Sequence, residues 1–404
     1  MLERETFKSL YDHSVRVMPD GDAARARFAI VGEAPASEEV KRGMGFVGPS
    51  GRMLWPLLER LGGVTRGMCY VTNLCKHPLD NDLAPEEKLE PGEYTRCCEE
   101  LLVELTPFYT RPNTRILAVG ALAARALLGG DRHPLEVVNG MGFELGQSLV
   151  VPTFHPAAAL RSDAKDWLAY TAVGIRHLAS PPRWRVAIPP PIVEWPKLNI
   201  AAPTAYGIDT EGTPDDPICM TVATPTQRVW VAPADVRTLW RLLPPAKPKV
   251  YHNALWDWKV LEAMGVDRPW DGLWEDTMEL AYLHQTEPQG LKDLMYRYYG
   301  YETKGFEDVA DPAWAQNVRW AAEGRIAAGT PTETHTPKGK LRKKPKVILT
   351  PEAKVLQRAL GNTQRLAKLM DFPPLSLRWV DMKEVVEYAT LDPWMTLMVR
   401  EALL

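Results

Sequence analysis

Cysteine is scarce. The 404 residues hold five (Cys69, Cys75, Cys97, Cys98 and Cys219), and so few, in an odd number, do not make a disulfide framework. No apolar run is long enough to span a bilayer, and no secretory signal leads the chain, so a cytoplasmic location without membrane attachment is expected. Charge of one sign is missing as well. Lys and Arg number 48 against 51 Asp and Glu, a net charge of −3, so any contact with a polyanion has to come from local patches. What remains is ordinary for a globular protein, 45% hydrophobic and 25% charged. The length argues for two or three domains.

Proline is plentiful, 36 residues, and it is dense in "SPPRWRVAIPPPIVEWPKLNIAAPTA", residues 180–205. This stretch has no helical period and reads as a semi-rigid linker over 181–204; an irregular strand wrapping the first domain is the alternative. The linker separates a domain at 1–180 from one at 205–404. In the first, "RFAIVGEAP", "MCYVTNLC", "TRILAVG" and "SLVVPTFHP" read as strands. They alternate with the amphipathic stretches "SGRMLWPLLERLGG", "EYTRCCEELLVEL", "ALAARALLG" and "DAKDWLAYTAVGIRHLA". Alternation of this kind predicts an α/β fold, a three-layer α/β/α domain on a largely parallel sheet. Ligands in such sheets sit beyond the carboxyl ends of the strands, where "GEAP", "TN" and "FHP" fall. In the second domain three successive strands, "AYGIDTEG", "ICMTVATPT" and "RVWVAP", precede a helix, the strand "PKVYHN" and further helices. That order predicts a mixed sheet. The basic insert "GTPTETHTPKGKLRKKPK" reads as a solvated mobile loop. Alternatively, Lys338, Lys340, Arg342, Lys343, Lys344 and Lys346 form a flexible contact to phosphates.

Within "AYGIDTEGTP", Asp209 and Glu211 stand two apart, which in a strand puts both carboxylates on one face. Burying two like charges is costly unless something compensates. Asp257, four residues after Asn253 at a strand-to-helix junction, and Asp392, four after Tyr388 on one predicted helix face, add two more acids. A pair of Mg²⁺ or Mn²⁺ ions is the natural compensation for such hard oxygen donors. Asp209 is expected to bridge, Glu211 and Asp392 to complete one ion, and Asp257 to hold the other in part through water. Such a pair stabilises the attacking and leaving oxygens of a phosphoryl displacement; Tyr388 would orient the water.

The ordered set "GIDTEGT", "YHNALWDWKVL", "EDTMELAYLHQTEP", "GLKDLMYRYYGY" and "VVEYATLDPWMTL" resembles the 3′–5′ proofreading exonuclease domain of family-A DNA polymerases, the DEDD group with tyrosine in its third motif. The resemblance runs from Tyr206 to Leu404. It implies an RNase H-like fold, two metal ions and a single-stranded 3′ DNA end as substrate, with Asn253 beside the nucleic acid. A polymerase domain would follow in that family, so the expectation is either a separate polymerase chain as partner or a sequence cut short of that domain. RNA trimming of the RNase D type uses the same acids and is the alternative.

In the first half, "AIVGEAPASEEVKRGMGFVGPSGRMLWPLL", "VTNLCKHP" and "VPTFHPAAALR" resemble the motifs of family-4-type uracil-DNA glycosylases over residues 25–180. The chemistry then reads residue by residue. Phe46 can stack on a flipped uracil. Asn73 offers an amide that matches O4 and N3–H and mismatches cytosine. His155 can donate to O2 as charge builds on the leaving base, and Glu33 can position the attacking water. Each has a plain alternative: a core ring, a turn residue, a structural histidine, a solvated acid. The domain is expected either to excise uracil or to serve as a non-catalytic module that docks DNA or senses uracil. The sequence departs from the family at Ala36, where a second glycine is usual, and at "HPAAALR". The resemblance also implies an iron–sulfur cluster on four cysteines. Residues 1–30 contain none, so no complete cluster is expected; a single metal on Cys75, His77 and Cys97 is the lesser alternative.

Overall fold

The computed structural model describes residues 15–79, 89, 91–130, 133–161, 167–182, 184–201, 203–285, 287–328, 332–335, 341–347 and 349–404. It divides into two compact units: Met1–Ala187 with Met278–Tyr301, and Ile188–Thr277 with Glu302–Leu404. No helix among the described residues is long and apolar enough to cross a membrane.

The first unit is built on five strands: β1 (Phe28–Gly32), β2 (Cys69–Asn73), β3 (Arg115–Val119), β4 (Phe143–Leu145) and β5 (Ser148–Thr153). Their order is β2-β1-β3-β5-β4. β1, β2, β3 and β5 run parallel, and β4 returns antiparallel on β5. β1 is buried on both faces, as strands of a parallel sheet covered by helices must be. Its alternate residues serve two cores. Ala29 and Val31 pack with Leu101, Phe108 and Leu122; Phe28 and Ile30 pack with Leu54, Leu58, Ile175 and Leu178. The α/β/α layering therefore follows from period-two alternation along one strand. The short edge strand β4 has no counterpart in the sequence reading; three residues carry too little pattern to register.

Met278–Tyr301 was expected to belong with the second half of the chain. In the structure it joins the first unit. Arg297, buried on the helix Leu291–Tyr299, donates to the carbonyls of Val137 (3.0 Å) and Asn139 (2.8 Å) and pairs with Glu287.

The second unit carries β6 (Ile192–Glu194), β7 (Tyr206–Gly212), β8 (Pro217–Ala223), β9 (Arg228–Val231), β10 (Lys249–Tyr251) and β11 (Trp274–Asp276). They are ordered β11-β10-β7-β8-β9-β6. β7, β8 and β9 form an antiparallel meander, while β10 and β11 run parallel to β7. The mixed sheet matches expectation. The proline-rich stretch does more than link: Ile192–Glu194 pairs parallel with β9 as an edge strand, a place where proline-rich sequence is tolerated because one edge needs no donors.

The basic insert is a second difference. Where a loop was expected, Thr332–His335 pairs antiparallel with Leu341–Val347. Arg342, Lys343 and Lys344 lie on the strand Leu341–Val347 at the register shift between the pairs Glu333–Lys346 and His335–Leu341; Lys338 and Lys340 lie outside the described residues.

Candidate functional sites

Glu33 leaves β1, Asn73 ends β2 and His155 follows β5. All three therefore stand at the carboxyl edge of the sheet, on either side of the point where β1 has neighbours on both flanks, the crevice such folds offer to ligands. Gly32 brings two of the predicted residues together. A methyl group added there would lie 2.4 Å from Asn73 Oδ1 and 2.7 Å from Phe46 Cζ. Asn73 and Phe46 are both buried, which does not suit a solvated turn residue. The Phe46 and His155 rings lie nearly parallel, 22° apart, with centroids separated by 6.1 Å. His155 Nδ1 accepts the Ala157 N–H at 3.1 Å, so the neutral ring carries its proton on Nε2. Glu33 Oε1 sits 3.3 Å from the Leu122 N–H, at the start of the helix Ala121–Leu128. The approach depends on Gly120, at φ 99°, where a Cβ would be 2.4 Å from Glu33 Oε1. Glu33 and His155 line a cavity of about 310 Å³ together with Ser50, Leu79, Ala157 and Leu160.

The loop that presents Phe46 is held by residues the sequence reading passed over. Phe46 adopts φ 53°, a conformation costly for a bulky residue. Glu39, buried, takes the N–H groups of Val47 (2.9 Å) and Gly48 (2.6 Å). Trp55 Nε1 donates to the Phe46 carbonyl (3.0 Å), and Arg66 donates to the Gly45 carbonyl (2.9 Å). In "SEEV" nothing distinguishes the acid that turns inward from its half-buried neighbour Glu38.

The donors do not suit an iron–sulfur cluster. A four-thiolate set is required, and the chain's first 68 residues contain no cysteine. Cys69 Sγ donates to the Thr65 carbonyl at the other end of β2. Cys75 and Cys97 approach to 3.1 Å, Sγ to Sγ, closer than the roughly 3.8 Å separating two thiolates on one tetrahedral ion with bonds of about 2.3 Å. Among the described residues no Cys or His joins any group of three or more donors close enough to share a metal.

Such a group does form in the second unit. One carboxylate oxygen each from Asp209, Glu211 and Asp392 lies within 4.8 Å of the others. Asp209 and Glu211 share a face of β7 as their spacing requires. Asp392, in the first turn of the helix Leu391–Leu403, arrives because Gly207 lets that helix ride against β7: an added Cβ would be 1.9 Å from the Pro393 carbonyl oxygen. Burial pushes the Asp209 carboxyl well above the usual range, and Asp257, Glu211 and Asp392 add to the rise. Asp257 is buried and pushed up to about 8, mainly by burial. Its Oδ1 accepts the Thr210 N–H (2.9 Å) and hydroxyl (2.8 Å). It thus repels Asp209 and Asp392 yet is tied to the strand rather than gathered with the three acids.

Tyr388 is buried, its phenol driven up by burial and then by Asp392, Glu211 and Asp209. It does not share one helix with Asp392, as expected. The helix Met382–Ala389 ends at Thr390, and a second begins at Leu391. Pro393 has no N–H to offer the preceding turn, and the Thr390 hydroxyl bonds back to the Val386 carbonyl at 2.7 Å. Asn253 is exposed at φ 74°, its N–H donated to Asp276 (3.1 Å).

Residues 18–177 match the family described as "Uracil DNA glycosylase superfamily". The chain is similar to the type-4 uracil-DNA glycosylase of Thermotoga maritima, 33% identical over 143 residues, covering 35% of this chain and 69% of that protein. It is similar also to those of Pyrobaculum aerophilum, 32% identical with 38% and 79% covered, and Saccharolobus solfataricus, 30% identical with 37% and 70% covered. A solved structure titled "apo form of the nuclease" aligns over 49% of this chain and 84% of its own at 19% identity, with a TM-score of 0.22, too low to establish a shared fold.

Proposed function

Because the chain belongs to the uracil-DNA glycosylase superfamily through residues 18–177, we propose that its first unit hydrolyses the glycosidic bond of uracil in DNA. The observation that carries this reading is the meeting of Phe46 and Asn73 at Gly32, beside a cavity walled by Glu33 and His155. A uracil turned out of the stack stacks on Phe46, and the Asn73 amide pairs with its O4 and N3–H. As the bond to the sugar breaks, charge develops on O2, and His155 Nε2–H donates to it. Glu33, held by the Leu122 N–H, orients the water that attacks the sugar carbon. The test is a uracil-bearing strand incubated in EDTA and then treated with alkali. Breakage at the uracil is expected. Binding without breakage would reduce the unit to a docking or uracil-sensing module.

For the second unit we propose metal-dependent 3′–5′ trimming of single-stranded DNA, supported by the convergence of Asp209, Glu211 and Asp392. Those three residues would hold one Mg²⁺ or Mn²⁺, with Asp257 reaching a second through water; such ions supply charge stabilisation to the entering and leaving phosphodiester oxygens. Tyr388, neutral across the physiological range, orients the water by its hydroxyl. Labelled DNA and RNA strands with Mg²⁺ separate the readings: trimming confined to RNA would place the unit with RNase D-type enzymes, and none on either would reject it.

A further inference from the structure

Three consecutive residues after the proposed base reader each engage one helix. Lys76 Nζ pairs with Glu104 Oε2 (2.6 Å), Cys75 Sγ meets Cys97 Sγ (3.1 Å), and His77 Nε2 meets Glu93 Oε1 (3.0 Å). Glu93, Cys97 and Glu104 stand four and seven apart on the helix Pro91–Glu104, one stripe of its surface. Lys76 is nearly inaccessible, and its ammonium donates in addition to the Thr72 hydroxyl (2.8 Å) and the Asn73 carbonyl (2.7 Å). All three ammonium donors are thereby used, and one of them fixes the peptide of Asn73 itself.

A buried ion pair adds little stability compared with apolar groups of the same size, so stability does not account for a lysine in this place. We infer that Lys76 is the positioning residue for Asn73, the centre of a metal-free clamp that seats the base-reading segment against the helix Pro91–Glu104. The relatives' resemblance implies a metal cluster on this chain, and the donors here do not suit one; side-chain contacts hold the segment instead. The positioning role rests on the uracil-excising reading.

The decisive variant is Lys76→Met with Glu104→Met, in which both charges are replaced by apolar groups of similar length, so no unpaired buried charge remains, while the Thr72 hydroxyl and the Asn73 carbonyl lose their donor. Uracil release and inhibition by free uracil are measured at a temperature where circular dichroism shows both proteins folded. The expected result, in the folded variant, is a uracil inhibition constant raised about tenfold (one hydrogen-bonding group mispositioned) and a matching fall in kcat/KM. An unchanged inhibition constant in the folded double variant would overturn the inference, because Lys76 would then be merely structural. If the double variant does not fold, Thr72→Val, which removes one of the three acceptors that hold Lys76, is expected to shift the same constant in the same direction, and no shift would again overturn it. A wild type that releases no uracil overturns the underlying reading, and this inference with it. Stoichiometric iron in the purified wild type would overturn the metal-free clamp alone.

Discussion

Replacing Asp209 by Asn removes one of three carboxylates whose oxygens crowd within 4.8 Å. Both Asp209 and Asp257 have carboxyl groups raised above their ordinary value. In the folded chain their ionisation costs more than in the unfolded one, so each destabilises the metal-free protein at neutral pH. That penalty shrinks as pH falls through the folded value, about 8 for Asp257, toward the ordinary 3.8. Metal-free Asp209→Asn is therefore expected to melt above the wild type at pH 8. It should also lose the stabilisation that saturating Mn²⁺ gives the wild type, about 2.7 kcal/mol at a hundred times Kd. Scanning calorimetry with and without Mn²⁺ checks both; a wild type indifferent to Mn²⁺ would count against the site. His177 behaves in the opposite sense. Burial lowers its pKa from 6.5, against a hydrogen bond to the Gly140 carbonyl at 3.0 Å. Its neutral form is the folded one, so stability is full above 6.5 and declines as pH falls from there toward the folded value. His177→Gln should flatten that decline in urea midpoints measured between pH 7 and pH 5.

At the scale of elements, the close packing of β7 and the helix Leu391–Leu403 decides whether three acids become one site. Gly207→Ala would place a methyl group 1.9 Å from the Pro393 carbonyl oxygen, which neither backbone can absorb without moving. A destabilisation of about 1–3 kcal/mol is expected. Displacing Asp392 by even an ångström should reduce 3′ trimming about a hundredfold, while uracil release in the same preparation stays unchanged. Equal loss of both activities would indicate a general folding defect. Gly207 sits two residues before Asp209 in plain view, but a glycine in a strand signals close approach without naming what approaches. The break at Thr390 was hidden for a related reason: Pro393 in a first turn is as compatible with a new helix as with an interrupted one.

At the scale of the molecule, the first unit is not a continuous stretch of chain. Arg297, more than a hundred residues beyond Ala187, is buried and satisfies the Val137 and Asn139 carbonyls while neutralising Glu287. Arg297→Ala leaves the largely covered Glu287 without its cation and the Val137 and Asn139 carbonyls without their donor, and is expected to destabilise the first unit by about 3–5 kcal/mol. A fragment ending at Ala187 lacks the same contacts and should melt early as well. Calorimetry of the full-length variant, followed by uracil release across temperature, reads this out. A melting temperature equal to the wild type's would show that Met278–Tyr301 contributes nothing to the unit.

The sequence by itself determined the order of the four parallel strands of the first unit and of the β7–β8–β9 meander, because burial on two faces writes apolar runs and burial on one writes a period; the short strands left no such pattern. It also determined that Asp209 and Glu211 share a face, since the strand repeat is two, and that Glu33, Asn73 and His155 end up on one edge, since parallel strands all point the same way. Only the tertiary structure decided that Asp392 joins the acids while Asp257 is tied to Thr210. It also decided that Glu39 turns inward to hold Val47 and Gly48, that Lys76 is sealed against Glu104, and that Arg297 serves a unit begun nearly three hundred residues earlier. Those outcomes depend on which surfaces come within ångströms of each other. Contacts between residues remote along the chain leave no spacing in it to read.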